Sequence, residues 1–492
     1  LLFNSTEFIF FFLPITFFVY FYLNHKSYPV QAKILLVLAS LFFYSWWNVI
    51  YLPLIVGSMT FNYWASLKLR PNPASQKNKK LFLMLAVAAN LALLGYFKYS
   101  DFFIENLNLI FSSDISLLNL ALPLAISFFT FQQIAYLVDS YRGETEENSI
   151  LNYAVFVSFF PQLIAGPIVH HKEMMPQFSS TKNRLINYDN LIRGLFIFSI
   201  GLFKKVIIAD SFAVWATTGF DQATQLFFFE AWATSLAYTF QLYFDFSGYT
   251  DMAIGIALMF NIILPLNFNS PYQSKNIQEF WRRWHITLSR FLRDYVYIPL
   301  GGNRSGSLKT YRNLMATFIL GGIWHGAGWT FVFWGFLHGL ALCIHRLWHR
   351  LGFKLWDWLA WLITFNFVNI TWVFFRAENW ASAEKVIRGM LGLNPREHFE
   401  FSINFVDMLS RWFNYPLYEK LPHAYRVINV PERALIFCLL FIPIVLFVKN
   451  NNRFIQEQAV TLKMMIVAGL AFSFAVIHSF LSSTQVFLYF NF

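Results

Sequence analysis

The chain has 492 residues, 57% hydrophobic and only 13% charged, about half the ~25% charged share of soluble domains. Aromatics reach 21%, with 61 Phe, and mean hydropathy is +0.47; surface-to-volume scaling leaves no soluble fold able to bury so many rings. The net charge of +11 sits mostly in short connections, which suits the positive-inside rule rather than nucleic-acid binding, so the composition describes an all-α polytopic membrane protein.

The first apolar run, 8–23, follows "LLFNSTEF", which has a Glu and no basic n-region. It is expected to be retained as the first helix, not cleaved as a signal. Further runs follow at 34–50, 51–67, 81–97, 117–138, 151–164, 227–244, 252–266, 331–348, 355–375, 434–448 and 464–481, with shorter or interrupted ones at 191–209 and 313–324. About 20 residues cross a bilayer, so this pattern predicts roughly eleven to thirteen membrane helices. No internal repeat is visible, and residues 1–492 read as a single membrane domain. Cys343 and Cys438 both lie in apolar runs, as packed, reduced side chains do.

Charge sets the expected orientation. Lys68, Arg70, Lys77, Lys79 and Lys80 crowd one loop, which is expected to be cytoplasmic. Counting back three spans places the N-terminus in the periplasm. The cluster His345, Arg346, His349, Arg350 and Lys354 is expected on the cytoplasmic side too. His345 and His349 have i,i+4 ligand spacing, but no carboxylate or thiolate accompanies them, so no metal site is predicted. The acidic loop 139–149, "DSYRGETEENS", is less informative for orientation, and His170 and His171, after "AGPIV", carry no recognisable catalytic pattern.

Several polar intrusions break the apolar pattern. "FKKVIIAD" (203–210) is read with Lys204 and Lys205 as a membrane-boundary pair. "QLYFDFSGYTD" (241–251) puts Asp245, Ser247, Tyr249 and Asp251 between two apolar helices. Two readings stay open there: cavity lining, or caps on two helix ends around a turn. "FWRRWHITLSRFLRDY" (280–295) is predicted as one amphipathic interfacial helix, with Trp281, Trp284, Leu288, Phe291, Leu292 and Tyr295 on the apolar face. His285 falls at the edge of that stripe, as an anchor or as a functional group. In the basic, Gly-rich stretch 298–313, Gly301, Gly302 and Arg304, with Lys309 and Arg312, suggest either a phosphate cradle of backbone N–H groups and cations or a cytoplasmic turn.

"GGIWHGAGWT" (321–330) places His325 inside a highly apolar region. The 13 residues from Asn313 to His325 make about 20 Å of helix, and Gly326 and Gly328 then let the chain turn back. A re-entrant segment with His325 on the floor of an internal cavity is predicted, since ionisable groups inside a membrane are costly and usually functional. His338, in the next helix, is left open as a cavity-lining residue. Residues 393–433, with four prolines, read as an interfacial excursion.

These blocks, in order, resemble the membrane-bound O-acyltransferase family, and within it the branch of bacterial alginate O-acetyltransferase membrane subunits. The resemblance is carried by "PLAISFFTFQQIAYLVDSYRG" (123–143), "FFPQLIAGPIV" (159–169), "QLYFDFSGYTDMAIG" (241–255), 280–304, 321–339 and "WVFFRAEN" (372–379). It implies a ring of membrane helices around a thinned centre with a tunnel, and a catalytic core at about 120–380. It also implies two catalytic histidines: the family's Trp-His-Gly histidine falls on His325, and the upstream one on His285. His325 would be general base or transient acetyl carrier, with His285 orienting the donor or supporting it. Acetyl-CoA from the cytoplasm is the implied donor. The implied acceptor is an extracytoplasmic polysaccharide such as alginate, or peptidoglycan, reached through a periplasmic SGNH-hydrolase-like partner from the bacterial inner membrane. D-alanine transfer to teichoic acid and a transporter of polysaccharide precursors are the rivals. Transporters show paired broken helices in repeated halves, whereas here one broken segment and no repeat are visible.

Overall fold

The computed structural model describes residues 1–71, 76–164, 166–304, 306–394, 431–448, 450, 452–455 and 459–481. Among these residues every regular element is helical. The stretch read as an interfacial excursion, 393–433, falls almost wholly outside the described residues. In chain order the helices are α1 (Leu13–His25), α2 (Pro29–Ser45), α3 (Leu52–Leu69), α4 (Gln76–Phe111), α5 (Ile126–Arg142), α6 (Ile150–Ser158), α7 (Phe160–Leu163), α8 (His171–Ser179), α9 (Tyr188–Phe203) and α10 (Asp210–Thr217). They continue with α11 (Phe228–Met259), α12 (Ile277–Arg283), α13 (Ile286–Leu292), α14 (Ser307–His325), α15 (Trp329–Arg350), α16 (Asp357–Arg376), α17 (Trp380–Met390), α18 (Pro431–Phe447), α19 (Asn452–Ile455) and α20 (Leu462–Leu481).

Local chemistry explains many of the boundaries. Helices α2 and α3 each carry Pro in the first turn, where its missing N–H costs little. Ser149 caps α6 by accepting from Asn152 N, and Asn379 caps α17 by accepting from Ser382 N. Among the described residues five segments are long and apolar enough to cross a membrane: Phe8–His25, Asn78–Phe111, Trp329–Arg350, Asp357–Arg376 and Leu462–Phe480. The exposed Leu85, Leu91, Phe103 and Leu107 of α4 are side chains that lipid, not water, covers.

The predicted spans are redrawn in places. The run 151–164 is two short helices, α6 and α7, parted at Phe159, and most of their residues are buried. The two runs 227–244 and 252–266 are largely one continuous 32-residue helix, α11. The polar island 241–251 is therefore mid-helix, and the reading of it as caps around a turn is overturned. Cys438 is buried and Cys343 partly so, and both are free thiols.

The chain divides into two compact units: 1–198 with 250–265 and 454–465, and 199–249 with 266–453 and 466–492. In the first, Phe8, Phe43 and Phe160 form an aromatic core. Asn62 on α3 and Asn90 on α4 exchange hydrogen bonds at 2.9 and 2.7 Å, the interhelical polar contact expected where water is absent. Two carboxylates of the stretch 139–149 meet the two adjacent histidines: His170 Nδ1 lies 3.4 Å from Asp139, near the end of α5, and His171 bridges Thr145 Oγ1 at 2.6 Å and Glu147 at 3.3 Å. Burial pushes the Glu147 carboxyl up, but hydrogen bonds from His171, Ser149 N–H and Asn152 outweigh it and hold it below its ordinary range. This pairing joins a loop and a helix start that looked unrelated in the sequence.

In the second unit, Lys205 is 1% exposed, so it is not a boundary lysine. Its ammonium meets Asp210 at 2.5 Å and Asp245 of α11 at 3.0 Å. An isolated charge in that position would be prohibitive; two carboxylates make it tolerable. Lys205→Met is expected to leave two buried carboxylates without a cation and cost ~3–5 kcal/mol. The check is the thermal midpoint in detergent, and a midpoint matching the parent protein would contradict the ion-pair account.

Candidate active site

The site is built by the segment around His285 and the α14–α15 hairpin. Helix α12 is capped at its start by Asn276, whose side chain accepts from Glu279 N at 2.8 Å. It stops at Arg283. The predicted single interfacial helix 280–295 is thus broken in two, and His285 occupies the break with φ 41° and ψ 56°. This left-handed conformation costs a non-glycine residue roughly 1–3 kcal/mol and persists only where surrounding structure enforces it. Here a neighbouring loop does so: Asn269 N donates to Arg283 O at 2.9 Å and Ile286 N to Asn267 O at 3.0 Å. Asn267 Oδ1 also takes the Thr287 N–H at 3.3 Å and the Thr287 hydroxyl at 2.6 Å. His285 is wholly buried, not at a stripe edge. Its Nδ1 lies 3.3 Å from Asn267 Oδ1, and its ring meets Phe246 edge-on at 4.8 Å.

His325 is the last residue of α14. That helix has 19 residues and begins at Ser307, so it is longer than the 13-residue re-entrant segment predicted. Helix α15 returns antiparallel along it: Cys343 Sγ donates to Tyr311 O near one end, and Arg350 reaches Ser307 beyond that. The glycines at the turn are not there for dihedral freedom, since Gly326 and Gly328 have φ of −160° and −167°. Gly326 is required for space, because a Cβ there would strike the Phe331 ring.

Both predicted histidines touch one indole. Trp324 lies 6.4 Å from the His285 ring and 4.8 Å from the His325 ring, centroid to centroid. His325 also packs edge-on against Trp334 at 5.1 Å and Phe375 at 5.0 Å. The Thr330 hydroxyl, donating to Ala377 O, ties the start of α15 to the end of α16 at this point. The "WVFFRAEN" block thereby delivers Phe375 to His325. Asn267 and the aromatic walls were not singled out from sequence. A Trp or Phe in an apolar run carries no signal separating wall from lipid contact, and Asn267 sits in an ordinary polar turn.

The remaining candidates fall outside this pair. His338 is fully committed: Trp281 Nε1 donates to its Nδ1 at 3.2 Å, its Nε2 lies 3.1 Å from Thr371 Oγ1, and that hydroxyl donates to Val368 O. It braces the far side of Trp334, at 4.7 Å. The phosphate-cradle reading of 298–313 loses the backbone donors of Gly301, Gly302 and Arg304, whose N–H groups all bond to nearby backbone carbonyls. His345 and His349 lie in the last turns of α15, and no metal-ligand cluster occurs among the described residues.

A buried base in an aromatic, water-poor surround can take a proton from a hydroxyl while limiting hydrolysis of a reactive acyl donor. Comparison with known proteins agrees in kind. Residues 44–383 match the family described as MBOAT, membrane-bound O-acyltransferase family. The chain is 52% identical to the peptidoglycan O-acetyltransferase of Helicobacter pylori, covering 100% of this chain and 98% of that one. It is 41% identical to the probable alginate O-acetylase AlgI of Pseudomonas aeruginosa, over 86% of this chain and 84% of that one. The corresponding Pseudomonas putida protein is 44% identical over 79% and 80%.

Proposed function

The chain belongs to the membrane-bound O-acyltransferase family and is an acyltransferase, and from that premise we propose that it moves acetyl groups from cytoplasmic acetyl-CoA to peptidoglycan hydroxyls outside the membrane. The observation that carries the choice of polymer is the 52% identity to a peptidoglycan O-acetyltransferase along essentially the full length of both chains. Likeness to the alginate proteins is lower and covers less of the chain, so peptidoglycan replaces alginate as the leading acceptor.

The site chemistry fits O-acylation. An acceptor hydroxyl attacks the thioester carbonyl; His325 takes the hydroxyl proton as the C–O bond forms. The tetrahedral intermediate collapses, the C–S bond breaks, and the proton passes to the departing thiolate sulfur. His285, across the Trp324 indole, supports the reacting groups. The indoles of Trp324 and Trp334 and the ring of Phe375 keep water from the thioester. Donor and polymer lie on opposite sides of the membrane, so the acetyl group crosses through this protein to a periplasmic acetyltransferase of SGNH-hydrolase type.

The test supplies membranes containing the protein and its periplasmic partner with radiolabelled acetyl-CoA or with a labelled D-alanyl carrier protein, and follows label into peptidoglycan and teichoic acid. Label is expected from acetyl-CoA alone. Label arriving only from the alanyl carrier, or none from either while polysaccharide export proceeds, would overturn the reading.

A further inference from the structure

The Asn267–Thr287–His285 contacts determine which nitrogen of His285 holds its proton. A backbone N–H only donates, so the Thr287 N–H, 3.3 Å from the Asn267 side chain, requires the amide oxygen to face α13 and the amide NH2 to face away. The Thr287 hydroxyl at 2.6 Å is satisfied by the same orientation. His285 Nδ1 lies 3.3 Å from that same oxygen. An amide oxygen has lone pairs and no hydrogen, so Nδ1 must be the protonated nitrogen. A neutral imidazole carries one proton, which leaves the lone pair on Nε2.

His338 supplies the contrast within the same unit. Trp281 Nε1 is a donor only, so His338 Nδ1 accepts and its proton lies on Nε2, directed to Thr371. Two buried histidines are therefore held in opposite tautomers, one by an amide oxygen and one by an indole N–H. Asn267 also enforces the left-handed backbone of His285 through its carbonyl, which accepts from Ile286 N. One residue thus sets both the ring's place and its protonation pattern.

We propose that Asn267 is a positioning residue that fixes the proton of His285 on Nδ1 and presents Nε2 as its proton-accepting nitrogen. The consequence for catalysis rests on the reading of His285 as part of the acyl-transfer site. Nε2 would then accept a hydrogen bond from a reacting hydroxyl or hold a proton in transit, which the other tautomer could not do from the same position.

The test is the ¹⁵N spectrum of ¹⁵N-histidine-labelled full-length protein in bilayers, with each ring assigned by the signals lost in His285→Gln and His338→Gln. The expected result is Nδ1–H for His285 and Nε2–H for His338. Asn267→Leu should convert His285 to a tautomer mixture, Asn267→Asp should keep Nδ1 protonated, and His338 should not change in either. Where Asn267→Leu does not fold, Asn267→Ala is read the same way, and the unmodified protein already decides the main point. His285 protonated on Nε2, or on both nitrogens, or unmoved by loss of the Asn267 oxygen, overturns the proposal. Transfer assays are read separately. Full activity in His285→Gln would remove His285 from the reaction proposed above while leaving the tautomer assignment intact.

Discussion

His325→Ala is expected to lower acetyl transfer at least ~10²-fold, and up to ~10⁴-fold, the range a positioned general base contributes. The protein should still insert and fold. His325 ends α14 beside the turn, where its ring packs against Trp324, Trp334 and Phe375. The fall should appear in kcat with little change in KM for acetyl-CoA, because proton transfer is required in the transition state and not for donor binding. His325→Gln, which fills the space but is no base at neutral pH, should be as inactive as the alanine variant. The measurement is transfer from labelled acetyl-CoA at equal amounts of folded protein, judged by size-exclusion profile. Transfer at the parent rate in either variant would remove His325 from the chemistry. A variant that retains a labelled, acylated protein without turnover would be equally damaging, since it would show that the acyl group reaches the protein without this base.

What the sequence made legible and what it hid divide along the range of the interactions. Hydropathy placed most of the long helices, and the glycine break after Trp324–His325 marked a real helix end, because those signals are local. Of the apolar face read in 280–295, Trp281, Trp284, Leu288, Phe291 and Leu292 are buried and Tyr295 only partly so, while Phe280, His285 and Thr287 are buried without having been placed on it. The break at His285 was invisible in that same periodicity, because it is imposed by Asn267, 18 residues earlier. Lys205 and Asp245 misled for a related reason. Lys205 looked like a membrane boundary and Asp245 like cavity lining or a helix cap, yet the two pair inside the protein, and a pairing 40 residues apart leaves no pattern in either neighbourhood. His325 stood out as an ionisable group in an apolar run, and the catalytic roles of both histidines came from motif resemblance. Their shared contact with Trp324 is a fact of packing that no spacing rule supplies.

The placement of His325 depends in turn on how closely α14 and α15 approach, and this leads to the second large effect. A Cβ on Gly335 would lie well under 3.0 Å from the Phe318 carbonyl oxygen, and one on Gly322 equally close to the Phe331 carbonyl oxygen. The obstacle is helix backbone in both cases, so no side-chain rotation relieves it; the helices must separate. Gly335→Ala is expected to cost at least ~1–3 kcal/mol, the usual range for overpacking, and Gly322→Ala a similar amount. Activity should fall further than stability explains, because a shift of ~1 Å in a reacting group costs roughly 10²-fold. Two controls give the expected gradient. At Gly339 the nearest atom is Met315 Sδ at 3.0 Å, the end of a flexible side chain that can move, so Gly339→Ala should be milder. Gly57 has nothing within 4 Å of its Cβ position, and Gly57→Ala should match or exceed the parent stability. Thermal midpoints in detergent and transfer rates of the folded fraction would be measured together. Were Gly335→Ala as stable and active as Gly57→Ala, close approach of the hairpin would not be what holds His325 against Trp334 and Phe375.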